Sequence, residues 1–302
     1  MKPRNLFLLA LPILPFALAL ACGGENDNLP PSPPPPPPPP VAESAPSAET
    51  PAPSASVEAP PPAPPRPPVT LTLGTASPDP PAPLPTVKIV APAREQVIPA
   101  AKTADFLVKL DVKNWQTAKG DRHVHLILDD QPYKPIYDTK EPVKLSEIPG
   151  GDALAEGQHL LVAFASRANH ESVKTPGSLF VTEFWVGAAA KRGPKAQDPT
   201  KAMLIYSRPK GEYKGDMANH VIVDFQLANE KLAPGGDHVH VSVTGPGIEG
   251  EQAADATQFG PPFYLDNLQD GSYSVKLDLL GTDGKVLPGS WSSTTRNITI
   301  AH

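Results

Sequence analysis

The feature that most constrains the fold is a series of short stretches in which apolar and polar residues alternate. Phe106, Val108, Leu110 and Val112 occupy every second position, with charged residues among those between them. This period of two is typical of a β-strand that buries one face. No stretch beyond residue 85 has the 3.6-residue period of an amphipathic helix. Many short strands at this spacing favour a β-sandwich.

The second half of the chain repeats the pattern of the first half. His123-Val124-His125 recurs 115 positions later as His238-Val239-His240, and Asn114 recurs as Asn229. The alternating residues 106–112 fall on residues 221–227 at the same spacing. We therefore predict two tandem modules, residues 86–190 and residues 196–302, joined around residues 188–200.

A turn in the second half indicates which kind of sandwich this is. Leu268-Gln269-Asp270-Gly271-Ser272-Tyr273 resembles the tyrosine corner of immunoglobulin-like sandwiches, in which a tyrosine opens the penultimate strand. The first half has His159 where the second half has Tyr273, so the sequence does not predict whether the first half forms the corner hydrogen bond. The predicted fold is all-β, with two tandem immunoglobulin-like β-sandwich modules after a disordered proline-rich linker.

Residues 22–85 form that predicted linker. More than half of the 43 prolines lie between Pro30 and Pro85, and residues 33–40 are all proline. A segment with so little apolar surface cannot offset the entropy of ordering. At ~3.1 Å per residue in the polyproline II conformation, it would serve as a spacer on the order of 100 Å long. The alternative is a proline-rich docking segment for a partner's groove.

Residues 1–21 have the plan of a secretory signal peptide: a basic start, an apolar run and small residues at the end. Cys22 follows directly, and with it the segment resembles a bacterial lipoprotein signal. The resemblance implies cleavage before Cys22 and acylation of that residue, which would anchor the chain to a membrane. Gly23, rather than Asp, favours the outer membrane of the cell envelope. The alternative is a plain secretory signal followed by a chance cysteine.

Residues 121–187 resemble an uncharacterised family of bacterial exported proteins. The matching pieces are His123-Val124-His125-Leu126, Tyr137-Asp138, Gly157-Gln158-His159, Ala165-Ser166-Arg167 and His170-Glu171-Ser172-Val173-Lys174. The resemblance implies export and immunoglobulin-like modules, and it implies no reaction.

Composition excludes several classes of function. The net charge is −6 and no run of Lys or Arg occurs, so nucleic acid is not an expected partner. Cys22 is the single cysteine, which rules out an intrachain disulfide and a catalytic thiol beyond the anchor. No catalytic or phosphate-binding motif is present, so we expect a binding protein without a cofactor, not an enzyme.

The histidine pair of the first module has two interpretations. Because side chains alternate along a strand, His123 and His125 should face away from the core, about 7 Å apart at Cα, and we expect that face to be solvated. A metal would need a third ligand, which the loop residue His170 could supply. His159 should point to the core instead. The second pair has no counterpart of His170, since Gly284 takes that position, which favours a duplicated strand face over a duplicated metal site.

The outer face of the penultimate strand differs between the modules. The first module has Leu160, Val162 and Phe164 where the second has Ser274, Lys276 and Asp278. An apolar outer face must be covered, by the module's own loops, by the second module or by an external partner. We expect a binding surface for a protein or glycan of the cell envelope, and the alternative is a periplasmic metal-binding protein that uses His123, His125 and His170. The expected surface consists of His123, His125, Leu160, Val162, Phe164 and His170.

Overall fold

The computed structural model describes residues 66–188, 197–289 and 291–302, which form strands joined by turns and three short 3₁₀ segments. The predicted signal peptide, Cys22, the linker up to residue 65 and most of the predicted joint lie outside the described residues. In the described ranges, no helix is long and apolar enough to cross a membrane. The prediction of an all-β fold is confirmed.

The first module contains eight strands in two sheets. A three-stranded sheet has the order β2-β4-β7, and a five-stranded sheet has the order β3-β9-β8-β5-β6. All neighbours are antiparallel except β3 and β9, which are parallel. The strands, numbered after β1 (Thr70–Leu73), are β2 (Thr86–Ala91), β3 (Gln96–Ile98), β4 (Leu107–Lys113), β5 (His123–Leu128), β6 (Lys134–Ile136), β7 (Val143–Lys144), β8 (Gly157–Ser166) and β9 (Leu179–Val186).

The second module repeats this arrangement. One sheet has the order β1-β15-β12-β10 and the other β11-β17-β16-β13-β14, with β11 and β17 parallel. Each module is thus an immunoglobulin-like sandwich, and strand βn of the first corresponds to βn+8 of the second. The strands are β10 (Met203–Arg208), β11 (Gly211–Lys214), β12 (His220–Ala228), β13 (His238–Thr244), β14 (Gln252–Ala256), β15 (Phe263–Asp266), β16 (Gly271–Leu280) and β17 (Ser293–Ala301).

The correspondence extends to single residues. Asn114 and Asn229, each just beyond its strand, have φ angles of 57° and 58°. Asparagine tolerates this left-handed conformation better than most residues. The Asn114 amide donates to the carbonyl of Leu84, and the Asn229 amide donates to that of Pro199. The same local geometry at equivalent positions supports duplication of one module.

The two corners are closed by different side chains. The Tyr273 hydroxyl donates to the Pro246 carbonyl at 2.7 Å and accepts from the Gln269 amide at 2.7 Å, as the tyrosine corner predicts. In the first module the His159 ring reaches the Asp129 carboxylate through Nδ1 and the Ala155 carbonyl, 2.9 Å away, through Nε2. Burial disfavours the charged ring, but Asp129 and Ala155 outweigh it and raise the pKa of His159. When it is protonated, the His159 ring can donate both of these hydrogen bonds, and it takes the place of the corner hydroxyl.

Each module has an apolar core of its own, and a third apolar cluster lies where the two modules meet. Leu160, Val162 and Phe164 on the outer face of β8 are fully buried, and they pack with Met203 and Ile205 of β10. Of the covers that the sequence left open, the second module contributes Met203, Ile205, Ala228 and Trp291, and the first module's own Tyr133 joins the same cluster. These three residues are therefore not available to an external partner, contrary to the expected binding surface.

The predicted linker extends too far toward the first module. β1, within the predicted residues 22–85, pairs antiparallel with β15 of the second module, and Leu71 lies opposite Leu265. Val69 and Leu71 are buried in the second module's core. The surrounding prolines led the sequence analysis to assign this short alternating run to the linker. Such a run can bury one face, as any edge strand does. We refer to residues 66–85 as the strap.

Candidate metal centre

Three imidazoles of the first module meet at the boundary with the second. β5 places His123 and His125 on its outer face, and the loop between β8 and β9 brings His170 to them. His123 Nε2 lies 3.0 Å from His125 Nε2 and 3.0 Å from His170 Nδ1. The potential ligand atoms of all three lie within 4.8 Å of one another. The structure thus brings together the three residues of the alternative metal prediction.

The strand parity that the sequence predicted is correct, but the predicted solvation is wrong. Val124 and its neighbours on the inner face join the first module's core, whereas His123 and His125 face outward. Yet His123 is only 1% exposed and His125 is 0% exposed. Tyr133 stacks on the His125 ring, with centroids 3.5 Å apart and planes 8° apart. Ser207 of β10 contacts the edge of the same ring, with its hydroxyl oxygen 3.1 Å from His125 Nδ1.

Hydrogen bonds at the far side of two rings direct their Nε2 atoms into the cluster. His123 Nδ1 lies 2.8 Å from the carbonyl oxygen of Asp121, which can only accept, so Nδ1 carries the proton in the neutral ring. The Ser207 hydroxyl oxygen can accept the Nδ1 proton of His125 in the same way. Both Nε2 atoms then carry a lone pair, which is the form that binds metals.

The spacing of these nitrogens suits a metal ion. With Zn–N bonds of 2.0–2.1 Å and tetrahedral angles, ligand nitrogens stand roughly 3.3–3.4 Å apart. The two 3.0 Å separations are close to this value. Without an ion, the single lone pair of His123 Nε2 faces two other ring nitrogens at once. A bound cation could accept the lone pair of one nitrogen from each of the three rings, which the rings cannot do for one another.

The electrostatic environment keeps the rings neutral. Burial is the main cause that lowers the pKa of His123, and it lowers that of His125 well below its ordinary value. Burial, with the charges of Arg208 and Lys210 among the further causes, lowers the pKa of His170 to about 3. Since protons compete with metals for imidazole, these rings would be free to ligate at neutral pH.

His170 is held in an unfavourable backbone conformation. Its φ is 68°, which costs a non-glycine residue energy on the order of 1 kcal/mol. The next two residues fix the loop from outside the module. Glu171 accepts hydrogen bonds from the Ser77 amide and hydroxyl of the strap, and the Ser172 amide donates to Asp224 of the second module. The third ring is therefore positioned by three separate parts of the chain.

Two cations of the second module contact Tyr133, the ring that stacks on His125, and the sequence analysis did not identify them. The Lys210 amine lies 3.8 Å from the Tyr133 ring centroid and donates to the Tyr133 carbonyl at 2.6 Å. The Arg208 guanidinium carbon lies 5.2 Å from the same centroid. Neither cation has a carboxylate partner in the described part of the chain, and Arg208 Nε is buried without a hydrogen bond. Nothing in the local sequence links them to a cluster about 80 residues away.

The second His-Val-His pair has a different environment. His238 and His240 are only partly buried. His240 Nδ1 contacts the Asp255 carboxylate at 2.7 Å, and His238 Nδ1 lies 3.2 Å from the Gly236 carbonyl oxygen. Among residues 66–188, 197–289 and 291–302, only the first module's three rings form a group of His, Cys, Asp or Glu side chains that could hold a metal.

No protein-family model and no curated protein matches this chain. Among solved structures, it is similar to the fibronectin(III)-like modules of Clostridium thermocellum CbhA, with 14% identity, a TM-score of 0.24 and coverage of 72% of this chain and 94% of that one. It is also similar to Bacteroides ovatus SGBP-B in complex with a mixed-linkage heptasaccharide, with 10% identity, a TM-score of 0.21 and coverage of 71% and 70%. Since both TM-scores are low, these likenesses carry no argument about function.

Proposed function

We propose that this protein is an exported, lipid-anchored binding protein whose first module holds one transition-metal ion. His123 and His125 would bind it through Nε2, and His170 through Nδ1. The observation that carries the proposal is the meeting of three neutral imidazoles whose ligand atoms lie within 4.8 Å of one another. The low pKa values of the rings support it, because such rings do not need to lose a proton on binding.

The ligand set suggests which metals would bind. Imidazole suits zinc, copper and nickel, whereas calcium and magnesium prefer oxygen ligands. The described cluster contains no carboxylate or thiolate, so the site would be of the neutral three-histidine type. Three protein ligands leave one position of a tetrahedral ion for another group.

The location of the protein is proposed from its sequence. Cys22 after an apolar segment supports acylation and anchoring in the cell envelope, with Gly23 favouring the outer membrane. The proline-rich residues that follow would hold the modules away from the membrane. We propose that the protein acts there by binding and not by catalysis.

The duplicated strand supplies a matched control for the metal site. The full chain, purified in detergent, would be melted with and without zinc beside the variants H123A/H125A and H238A/H240A. At 100 times its dissociation constant, a metal stabilises the folded state by about 2.7 kcal/mol. We expect zinc to raise the midpoint of wild type and of H238A/H240A, and to leave H123A/H125A unchanged. Equal responses of all three proteins would exclude this site.

A second candidate function is binding of an envelope protein or glycan in a groove next to the cluster. Tyr137 lines this groove together with Arg122 and Asp138, and its ring centroid lies 5.1 Å from that of His123. The groove replaces the buried Leu160, Val162 and Phe164 as the surface open to such a partner. Loss of glycan or protein binding in Y137A, with zinc binding retained, would favour this candidate.

A further inference from the structure

The strap and the loop that carries His170 are joined by hydrogen bonds. The Glu171 carboxylate accepts from the amide and the hydroxyl of Ser77, and the Arg167 guanidinium donates to the Pro78 carbonyl at 2.6 Å. Arg167 and Glu171 also close the turn around His170. The Arg167 carbonyl accepts from the His170 amide at 3.0 Å, and the Arg167 amide donates to the Glu171 carbonyl at 2.9 Å. The strap thus contacts both ends of the turn that presents the third candidate ligand.

The burial of Glu171 ties the position of His170 to the strap. Glu171 is only 3% exposed, and in the described part of the chain both hydrogen-bond donors to its carboxylate belong to Ser77. A carboxylate left buried without donors is strongly unfavourable. If the strap left, Glu171 would have to turn toward water. The adjacent His170, whose φ of 68° needs support from its surroundings, would move with it.

The second module holds the other end of this connection. Leu71 of β1 is buried in the second module's core, and the Gly74 amide donates to the Pro262 carbonyl at 2.8 Å. The Tyr264 ring lies so close to Gly74 that a β-carbon there would meet it at 2.5 Å. Only two residues separate Gly74 from Ser77, so the position of Ser77 follows the docking of β1 on β15.

The His170 loop has a second attachment that does not involve the strap. The Ser172 amide donates to the Asp224 carboxylate at 3.1 Å, and the Lys174 amine contacts the same carboxylate at 2.6 Å. These contacts would keep the loop near the cluster after the strap had left. Release of the strap should therefore weaken metal binding without abolishing it.

We propose that the strap is a latch for the metal centre. With β1 docked on the second module, Ser77 holds Glu171 and keeps His170 in place, and undocking of β1 releases the third ligand and lowers metal affinity. The inference rests on the proposed metal centre and adds a means of regulating it. By reciprocity, a bound metal favours the docked strap by the same factor by which docking raises metal affinity. A pull along the chain from the N-terminal side would act first on β1, and so on the metal.

Two variants of the strap test the latch without touching a histidine. S77A removes the hydroxyl that donates to Glu171, and L71A removes the side chain that anchors β1 in the second module's core. Zinc would be titrated into the full chain in detergent against a competing chelator. Both variants should weaken zinc binding by a factor within the roughly 5–150-fold range of coupled sites.

Each variant has a matched control. T75A changes an exposed strap residue two positions before Ser77, and it should bind zinc as wild type does. V243A opens a cavity in the same core as L71A, but on β13, so it should lower the stability of the second module and leave zinc affinity unchanged.

Hydrogen exchange of the wild-type chain tests the same coupling in the other direction. Saturating zinc should slow exchange of the Ser77 and Gly74 amides by the factor by which S77A or L71A weakens zinc binding. The Gln269 amide, which donates to Tyr273 at the second module's corner, should exchange at the same rate with and without zinc. This measurement needs no variant, so it keeps the test valid if S77A or L71A folds poorly.

The outcomes separate this inference from the metal proposal. A chain that binds no zinc, or whose zinc binding survives H123A/H125A, would overturn both. Zinc binding at the three histidines with wild-type affinity in S77A and L71A, or with unchanged exchange at Ser77 and Gly74, would overturn the latch alone. An equal loss of affinity in V243A and L71A would also overturn it, because the loss would then follow the stability of the second module.

Discussion

The two strands share the His-Val-His motif and occupy equivalent places in their sheets, yet they differ in what surrounds them. In β5 both rings are buried and meet a third ring from a loop. In β13 both rings are partly exposed, and His240 contacts the carboxylate of Asp255. A repeated motif therefore predicts a repeated strand face, and the neighbours decide whether that face becomes a site.

The surroundings of the two His-Val-His pairs differ because the second module packs against the outer sheet face of the first module. The outer face of β8 carries Val162 where β16 carries Lys276, and β10 packs on the apolar version. The same strand β10 supplies Ser207, which contacts His125, and ends at Arg208. The contact that buries the apolar face is thus also the contact that completes the candidate centre.

The largest expected effect comes from making the first module's outer face resemble that of the second. V162K would place an ammonium in the apolar core between the modules, and an unpaired buried charge of this kind costs several kcal/mol. Urea unfolding of the full chain would measure the loss. The control is K276M in the second module, where a side chain that is 44% exposed should change stability by less than about 0.5 kcal/mol. A cost below about 1 kcal/mol for V162K would mean that the modules do not share a core in solution.

An intermediate effect is expected from Ser207, which acts on the metal through His125. S207A would leave Nδ1 of a buried ring without its acceptor, and loss of such a partner typically weakens metal binding 10–100-fold. S207T keeps the hydroxyl and should restore affinity, whereas a purely structural role would not require a hydroxyl. Zinc titration against a competing chelator measures both variants. S242A, which removes a hydroxyl from the second His strand, serves as the control, and an equal loss in it would contradict a positioning role.

The smallest effect concerns the corners, which His159 and Tyr273 close in different ways. Because the folded pKa of His159 is raised, its stabilisation is fully present below the unfolded value of about 6.5 and is lost as pH rises through the folded pKa. H159Y should be nearly independent of pH in this range, so its stability relative to wild type should improve from pH 6 to pH 9. The change should be on the order of 1 kcal/mol, as for one or two hydrogen bonds. Urea unfolding at several pH values would measure it, and a parallel pH dependence in both proteins would show that His159 is uncharged at pH 6.

Local patterns were sufficient to predict the fold but not the burial of the site. Alternation placed Val124 inward and His125 outward, and the duplication and the Tyr273 corner predicted two sandwiches, because these features depend on the backbone geometry of single strands and turns. The cover over His125 comes partly from Tyr133, which follows β5 closely, and partly from Ser207 of β10, which lies 82 residues later in the chain. Arg208 and Lys210 arrive by the same contact, so no local pattern could associate them with the histidines.

The strap illustrates the opposite error, in which composition outweighed a short pattern. Residues 69–73 alternate as a strand does, but they lie between proline-rich segments that made the whole region resemble a spacer. Their partner, β15, is almost two hundred residues away. A four-residue strand is too short to predict without knowing what it pairs with.

The pairing of β1 with β15 has a consequence for the order in which the molecule can be built. The chain is made from its N-terminus, so Leu71 is synthesised long before Leu265, and the strand must wait unpaired until most of the second module exists. During this interval the apolar face of β8 also has no cover. Contacts between such distant residues form slowly because a long loop must close first. The first module should therefore pass through a stage with an exposed apolar sheet, which could aggregate until the second module has been made and packs against it.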